Sequence, residues 1–312
     1  MQQSVRSSIV EAIGDTPVVR LRKVVPEGAA EVLVKLEYYN PTGSYKDRMA
    51  LAMIEEAERR GDLRPGMTVL EYTGGSTGSS LAFVCSLKGY QFKVVSSDAF
   101  ASEKLRTMRA FGAELIIIPS EGGKITPTLI PRMMEEARRL AAEPGTYWTD
   151  QFNNADALVG YSKIGQELVK QVDGPIDAFC GAVGVGGMLV GVKRGLEAGG
   201  QRARIVALEP AGSPILTTGR AGSHHVVRTG AGFVPPMLKP GTYDEARAID
   251  EEEARQMARR LAREEGIFAG TSSGLNVTAA VALARELGPG KRVVTVAVDS
   301  GLKYLAGDLY EG

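Results

Sequence analysis

Residues 32–61 read VLVKLEYY (32–39), NPTGSYKDR (40–48) and MALAMIEEAERRG (49–61), and this stretch decides the fold. A β-branched apolar run gives way to a short segment rich in turn residues, and then to apolar residues at helical spacing with charge between them. That order is a strand, an elbow and a helix. Ser44, with Asp47 three positions on, makes a capping-box variant, so Lys46 falls in the first helical turn. A cation there opposes the positive end of the helix dipole. Partly buried, such an amine has its ammonium form disfavoured, which is what a nucleophile needs to form an imine with an aldehyde. Position alone favours a solvated surface lysine at a helix start.

The same alternation continues down the chain. Strands are expected near 68–72, 92–97, 113–119, 176–181, 204–209 and 292–298, with helices in the gaps. The class is therefore α/β, with a parallel-rich sheet wrapped by helices. Within 251–266, Ala254, Met257, Ala258 and Leu261 share one side of an amphipathic surface helix. Residues 211–247 show no clear period and read as one long ordered loop, a length that tends to be functional. Two lobes are expected, one of them built around residues 41–150, with any cleft a natural ligand site.

Further segments place glycines at the mouth of a helix. Thr73-Gly74-Gly75-Ser76-Thr77-Gly78 precedes LAFVCSL, where backbone amides and hydroxyls suit a carboxylate. Gly181 to Met188 precedes LVGVKRGLE and offers no hydroxyl, so main-chain donors would hold an anion such as a phosphate. Leu189 stands where a dinucleotide fingerprint needs its last glycine, and no Lys-Ser/Thr pair completes a Walker loop. In Gly270-Thr271-Ser272-Ser273-Gly274 the hydroxyls read most simply as helix N-caps, compatible with a ligand contact.

Composition narrows the function classes. Lys plus Arg and Asp plus Glu each total 37 in 312 residues, so nothing suggests capture of nucleic acid or anionic lipid. Cys85 and Cys180 both sit in apolar runs and read as buried free thiols rather than a disulfide. No secretion signal or spanning segment is visible, so a cytoplasmic protein is expected. His224 and His225 are the only histidines, and without a ligand cluster around them no metal site is expected.

Taken with Ile13 to Leu21, Leu36-Glu37, Gly112-Ala113-Glu114, Asp150 to Asn154, Glu209-Pro210, Gly230 to Pro235 and Asp299-Ser300-Gly301 with Tyr304, these motifs resemble the cysteine synthase and cystathionine β-synthase family. The likeness runs nearly end to end. It implies the two-lobed fold type II (tryptophan synthase β-like) architecture of pyridoxal phosphate enzymes and a homodimer. It implies a larger cofactor-binding domain from residues 1–40 and 151–312, and a smaller substrate-side domain from 41–150. By the resemblance, Lys46 carries pyridoxal 5'-phosphate as a Schiff base and shuttles the α-proton. Gly184, Val185, Gly186, Gly187 and Met188 surround the phosphate, and Ser272 hydrogen-bonds the ring nitrogen. Thr73, Gly74, Gly75, Ser76 and Thr77, with Gln151, bind the substrate carboxylate.

The chain departs from that family in three places. Its usual T-S-G-N-T-G loop has Gly74 for the serine and Ser76 for the asparagine that faces the cofactor phenolic oxygen. Val185 and Met188 replace threonines of the phosphate loop. The segment 223–229 is unlike a typical cysteine synthase, and Arg228 in it is either a solvent-facing residue or a reader of an acidic substrate. The expected reaction is β-replacement on an O-activated serine, through an aminoacrylate that takes up sulfide or another nucleophile. The alternatives are β-elimination, as in a serine/threonine dehydratase or cysteine desulfhydrase, and an inactive scaffold of the same fold.

Overall fold

The computed structural model describes residues 5–126, 128–220, 222, 226 and 233–311. They form two compact units: Met1–Ile13 with Lys46–Gly160, and Gly14–Tyr45 with Tyr161–Gly312.

The smaller unit is built on a four-stranded parallel sheet. Its strands are β3 (Thr68–Tyr72), β4 (Gln91–Ser97), β5 (Glu114–Ile118) and β6 (Thr146–Trp148), in the order β5-β4-β3-β6. Helix α1 (Lys46–Arg60) leads into β3, and α2 (Ser76–Lys88), α3 (Ser102–Ala110) and α4 (Leu129–Ala141) connect the strands. Val69, Leu70, Val94 and Val95 are fully buried, as expected of central parallel strands covered on both faces. Around Leu70, Tyr72 and Val95, one face of α4 packs Leu129, Met133, Ala137 and Leu140 into a core.

In the larger unit the sheet has six strands. They are β1 (Val18–Arg20), β2 (Glu31–Leu36), β7 (Ala178–Ala182), β8 (Arg204–Pro210), β9 (Glu245–Ile249) and β10 (Arg292–Ala297), in the order β1-β2-β10-β7-β8-β9. Only β1, a three-residue edge strand, runs antiparallel, pairing Val19 with Val34 of β2. The helices of this unit are the latter part of α5 (Ala157–Gln171), then α6 (Gly187–Ala198), a single turn α7 (Ile215–Thr218), α8 (Glu251–Arg260) and α9 (Thr271–Leu287).

Glycine sets one helix contact here. A Cβ on Gly191 would lie 2.4 Å from the Tyr161 Cβ, and one on Gly195 would lie 2.0 Å from the Ser162 carbonyl oxygen. From the facing side, a Cβ on Gly165 would come within 2.4 Å of the Val192 oxygen. Bare backbone therefore meets bare backbone between α5 and α6, and a side chain at any of the three would force them apart.

Helix α8 follows its sequence pattern. Asp250 accepts hydrogen bonds from the Glu252 and Glu253 amides at 2.9 and 3.0 Å, and Ala254, Met257 and Ala258 are buried. The helix ends at Arg260, and a π-type turn over Leu261–Glu265 completes the segment. Cys85 and Cys180 are free and buried, and burial pushes the Cys180 thiol up to about 12.

Three strands have no counterpart in the sequence reading. β1 and β6 are three residues long, too short for a period to develop. β9 reads Glu-Ala-Arg-Ala-Ile, and as an edge strand it buries no residue fully. The segment 211–247 is accordingly not one loop: α7 interrupts it, and β9 begins before it ends.

Candidate active site

Lys46 is the first residue of α1 and is buried, 6% exposed, with its Nζ 3.4 Å from the Met49 sulfur. It is not a solvated surface lysine. Asp47 and Arg48 beside it are buried as well. The turn leading to it belongs to the larger unit and is tied down by backbone bonds. The Gly43 amide bonds the Asn40 oxygen at 2.7 Å, the Ser300 amide bonds the Gly43 oxygen at 3.1 Å, and the Tyr45 amide bonds the Val298 oxygen at 3.2 Å. Gly43 takes a positive φ of 71°, which explains a glycine at that point of the elbow.

A polar chain fixes the start of that turn. Asn40 accepts from the Gly14 amide at 2.9 Å and donates to the Glu37 carboxylate at 3.0 Å, which also accepts from the Thr16 hydroxyl at 2.7 Å. The fully buried Lys35 amine donates to the Thr16 carbonyl (2.9 Å) and the Gln171 side-chain oxygen (2.8 Å), and pairs with Glu167 (2.7 Å). A buried cation is tolerable only with its donors engaged. The motifs at 13–21, 36–37 and 40–48 are thus neighbours joined by hydrogen bonds.

In the smaller unit the loop after β3 leads straight into α2. Gly75 is the N-cap and provides no side-chain cap; the Gly78 amide bonds the Gly75 oxygen at 3.1 Å, and the Ser76 and Thr77 amides ahead of it have no capping side chain. The Thr77 hydroxyl donates to the Gln151 side-chain oxygen at 2.7 Å, so two expected carboxylate-binding residues meet. Gln151 follows Asp150, a non-glycine residue at φ 44°, in a sharp turn after β6. Ser76 is buried, 1% exposed.

The second glycine loop, in the larger unit, ends in Gly186 at φ +82° as the N-cap of α6. A Cβ on Gly187 would press on the Tyr161 ring at 3.2 Å and on the Met237 sulfur at 3.3 Å. Met188 is buried with its methyl over Gly181 of β7, so its side chain fills core space. Val185 is buried too. Gly184 lines a small cavity with Val183, Glu209, Ile215 and Phe233.

Ser272 lies in the first turn of α9 and is 3% exposed. Among the described residues its hydroxyl has no hydrogen-bond partner. The hydroxyls of 271–273 do not cap α9: the N-cap is Gly270, and the Ser273 oxygen instead accepts from the Val298 amide at 2.9 Å. Gly270 is required by space, since a Cβ there would lie 2.3 Å from the Tyr304 ring and 2.7 Å from an Asp299 oxygen. His224, His225, Arg228 and Gly230 to Gly232 lie outside the described residues.

Residues 9–299 match the model of the family described as pyridoxal-phosphate dependent enzyme. The chain belongs to that family. It is 45% identical to cysteine synthase of Staphylococcus aureus (strain Mu50 / ATCC 700699), over 99% of each chain. Its fold superposes on the cysteine synthase of Entamoeba histolytica with a TM-score of 0.93 at 32% identity, covering 100% of this chain and 93% of that one. An O-ureido-L-serine synthase matches with a TM-score of 0.90 at 35% identity, over 99% and 96% of the two chains. The fold type II expectation is borne out, as is dependence on pyridoxal phosphate.

In this pyridoxal phosphate enzyme, three supporting side chains escaped the sequence reading. Glu71 at the end of β3 is fully buried and accepts from the Tyr72 amide (2.9 Å), the Gln151 amide (3.0 Å) and the Thr149 hydroxyl (2.8 Å). Burial raises its carboxyl to about 7 against the pull of those donors. Asn276, one turn after Ser272, accepts from the Ala182 amide at 2.8 Å and donates to the Val296 oxygen at 2.9 Å. It thereby joins the helix that bears Ser272 to the strand that feeds the second glycine loop. None of the three lies in a glycine-rich loop, and a single Glu, Thr or Asn carries no periodic signal.

Proposed function

We propose that this enzyme performs β-replacement on an O-acylserine, exchanging the acyl carboxylate at the β-carbon for sulfide to give cysteine. The observation that carries the reading is the burial of Lys46 at the first turn of α1, an amine withdrawn from water where an aldehyde can be captured. Pyridoxal phosphate, when bound, supplies an electron sink for the α-carbon. The residues present fit it. Lys46 offers the amine, Ser272 a buried hydroxyl for the ring nitrogen, and Gly184 to Met188 a run of amides at a helix start for the phosphate.

The chain's own groups divide the remaining work. Lys46 removes the α-proton and returns it once the new Cβ–S bond exists, with the Cβ–O electron pair leaving on the acyl carboxylate. Thr73 to Thr77 and Gln151 hold the substrate carboxylate, the first-turn amides of α2 acting as donors. The neutral Ser272 hydroxyl would hold the ring nitrogen without protonating it, an arrangement that would favour β-chemistry over transamination. Ser76 would stand next to the cofactor phenolic oxygen. We extend the reading to a cytoplasmic homodimer, on the resemblance to cysteine synthases.

The test is direct. Purified protein should be yellow, bleach with borohydride, and release acetate from O-acetylserine in step with cysteine when sulfide is present. Lys46→Ala should remove the borohydride-fixed adduct. Acetate release with pyruvate in place of cysteine would replace this reading with β-elimination.

A further inference from the structure

The loop 73–78 holds glycines at 74, 75 and 78, and two of them are explained by neighbours rather than by torsion. Neither Gly74 nor Gly78 takes a positive φ. A Cβ on Gly74 would lie 2.0 Å from the Phe100 Cγ and 2.2 Å from each Cδ, so the ring already fills the place of a side chain. On Gly78 a Cβ would meet the Met108 methyl at 2.6 Å and its sulfur at 2.8 Å. Both neighbours come from one segment. Phe100 sits in the turn after β4, its amide bonded to the Ser97 oxygen at 3.2 Å, and packs on the core around Leu70, Tyr72 and Val95. Met108 is on α3 and fully buried.

We infer that Phe100 is a positioning residue for the amino-acid substrate, the ring against which the carboxylate loop is seated. This rests on the reading of Thr73 to Thr77 with Gln151 as the carboxylate site. Two adjacent glycines leave the loop backbone with wide conformational freedom, and binding must remove it. A core-anchored aromatic ring removes it beforehand, holding the α2 amides in register with the Thr77–Gln151 pair. The same contact accounts for Gly74: a serine there would collide with the ring. Glycine at 74 and phenylalanine at 100 form one steric unit.

The experiment is steady-state kinetics on cofactor-loaded enzyme with O-acetylserine and sulfide, alongside a cofactor titration by absorbance. Phe100→Ala should raise KM for O-acetylserine about tenfold while kcat stays within about threefold, and Phe100→Leu should restore most of the loss. Gly74→Ala should be worse than Phe100→Ala, and the double variant better than Gly74→Ala alone, because the added methyl then has room. Cofactor affinity should not change in the phenylalanine variants. Additive effects, an unchanged KM in Phe100→Ala, or a parallel loss of cofactor affinity would each overturn the inference with the functional reading intact. Wild-type enzyme that binds cofactor yet leaves O-acetylserine untouched would overturn the functional reading and the inference together.

Discussion

The two glycine loops at the starts of α2 and α6, both proposed to present amides to an anion, are shaped by different means. At α2 no glycine torsion is special; the loop is held by its neighbours, with Phe100 and Met108 pressed on Gly74 and Gly78 and Thr77 bonded to Gln151. At α6 the backbone itself turns left-handed at Gly186, and the side chains on either side of it, Val185 and Met188, are buried apolar groups. One site depends on side-chain packing around a relaxed loop, the other on a backbone conformation that few residues can adopt. The difference suits the guests proposed for them: a substrate that comes and goes, and a cofactor that stays.

The largest effect is expected behind the second loop. Asn276→Ala leaves the Ala182 amide and the Val296 carbonyl without their partner, which should lower stability by about 2–4 kcal/mol in chemical denaturation and weaken cofactor binding. Equal cofactor affinity in that variant would break the link between α9 and the phosphate loop. Next comes the torsion itself. Gly186→Ala places a Cβ on a left-handed residue, a strain of about 1–2 kcal/mol, and should weaken cofactor affinity about tenfold in an absorbance titration, leaving KM for the amino acid nearly unchanged.

Thr77→Val is the counterpart at the first loop. It strips the Gln151 oxygen of its donor, so KM for O-acetylserine should rise about tenfold with cofactor affinity unaltered. A shift in cofactor affinity instead would erase the contrast between the two loops. The smallest effect concerns Glu71, behind the same loop. Its folded carboxyl titrates near 7 because of burial, above the ordinary carboxylate value near 4.5. The folded state therefore holds the extra proton between those values, and this group's contribution to stability is full below pH 4.5 and lost as pH rises toward 7. Glu71→Gln should flatten that part of the stability profile measured by thermal melting; an unchanged slope would assign the wild-type slope elsewhere.

Much was legible from residue order alone. The alternation of apolar strand runs with helical periods marked the α/β class, because parallel strands buried on both faces are near-continuously apolar, as β7 is throughout and β10 is apart from Arg292 and Thr295. The elbow before Lys46 was readable because a strand, a turn and a helix are each local patterns. Other elements left no local trace. β1 and β6 are shorter than any period, β9 is a charged edge strand, and the hydroxyls after Gly270 looked like caps until Ser273 proved to bond Val298.

What the sequence by itself determined was the set of elements and the amine at the head of α1, both written in neighbours along the chain. Only tertiary structure decided that Lys46 is buried, that Thr77 meets Gln151 across 74 positions, and that Gly74 is small because of Phe100. Backbone periodicity is a local property, whereas burial, a buried hydrogen-bond partner and the volume free at a glycine are set by residues that folding brings from elsewhere.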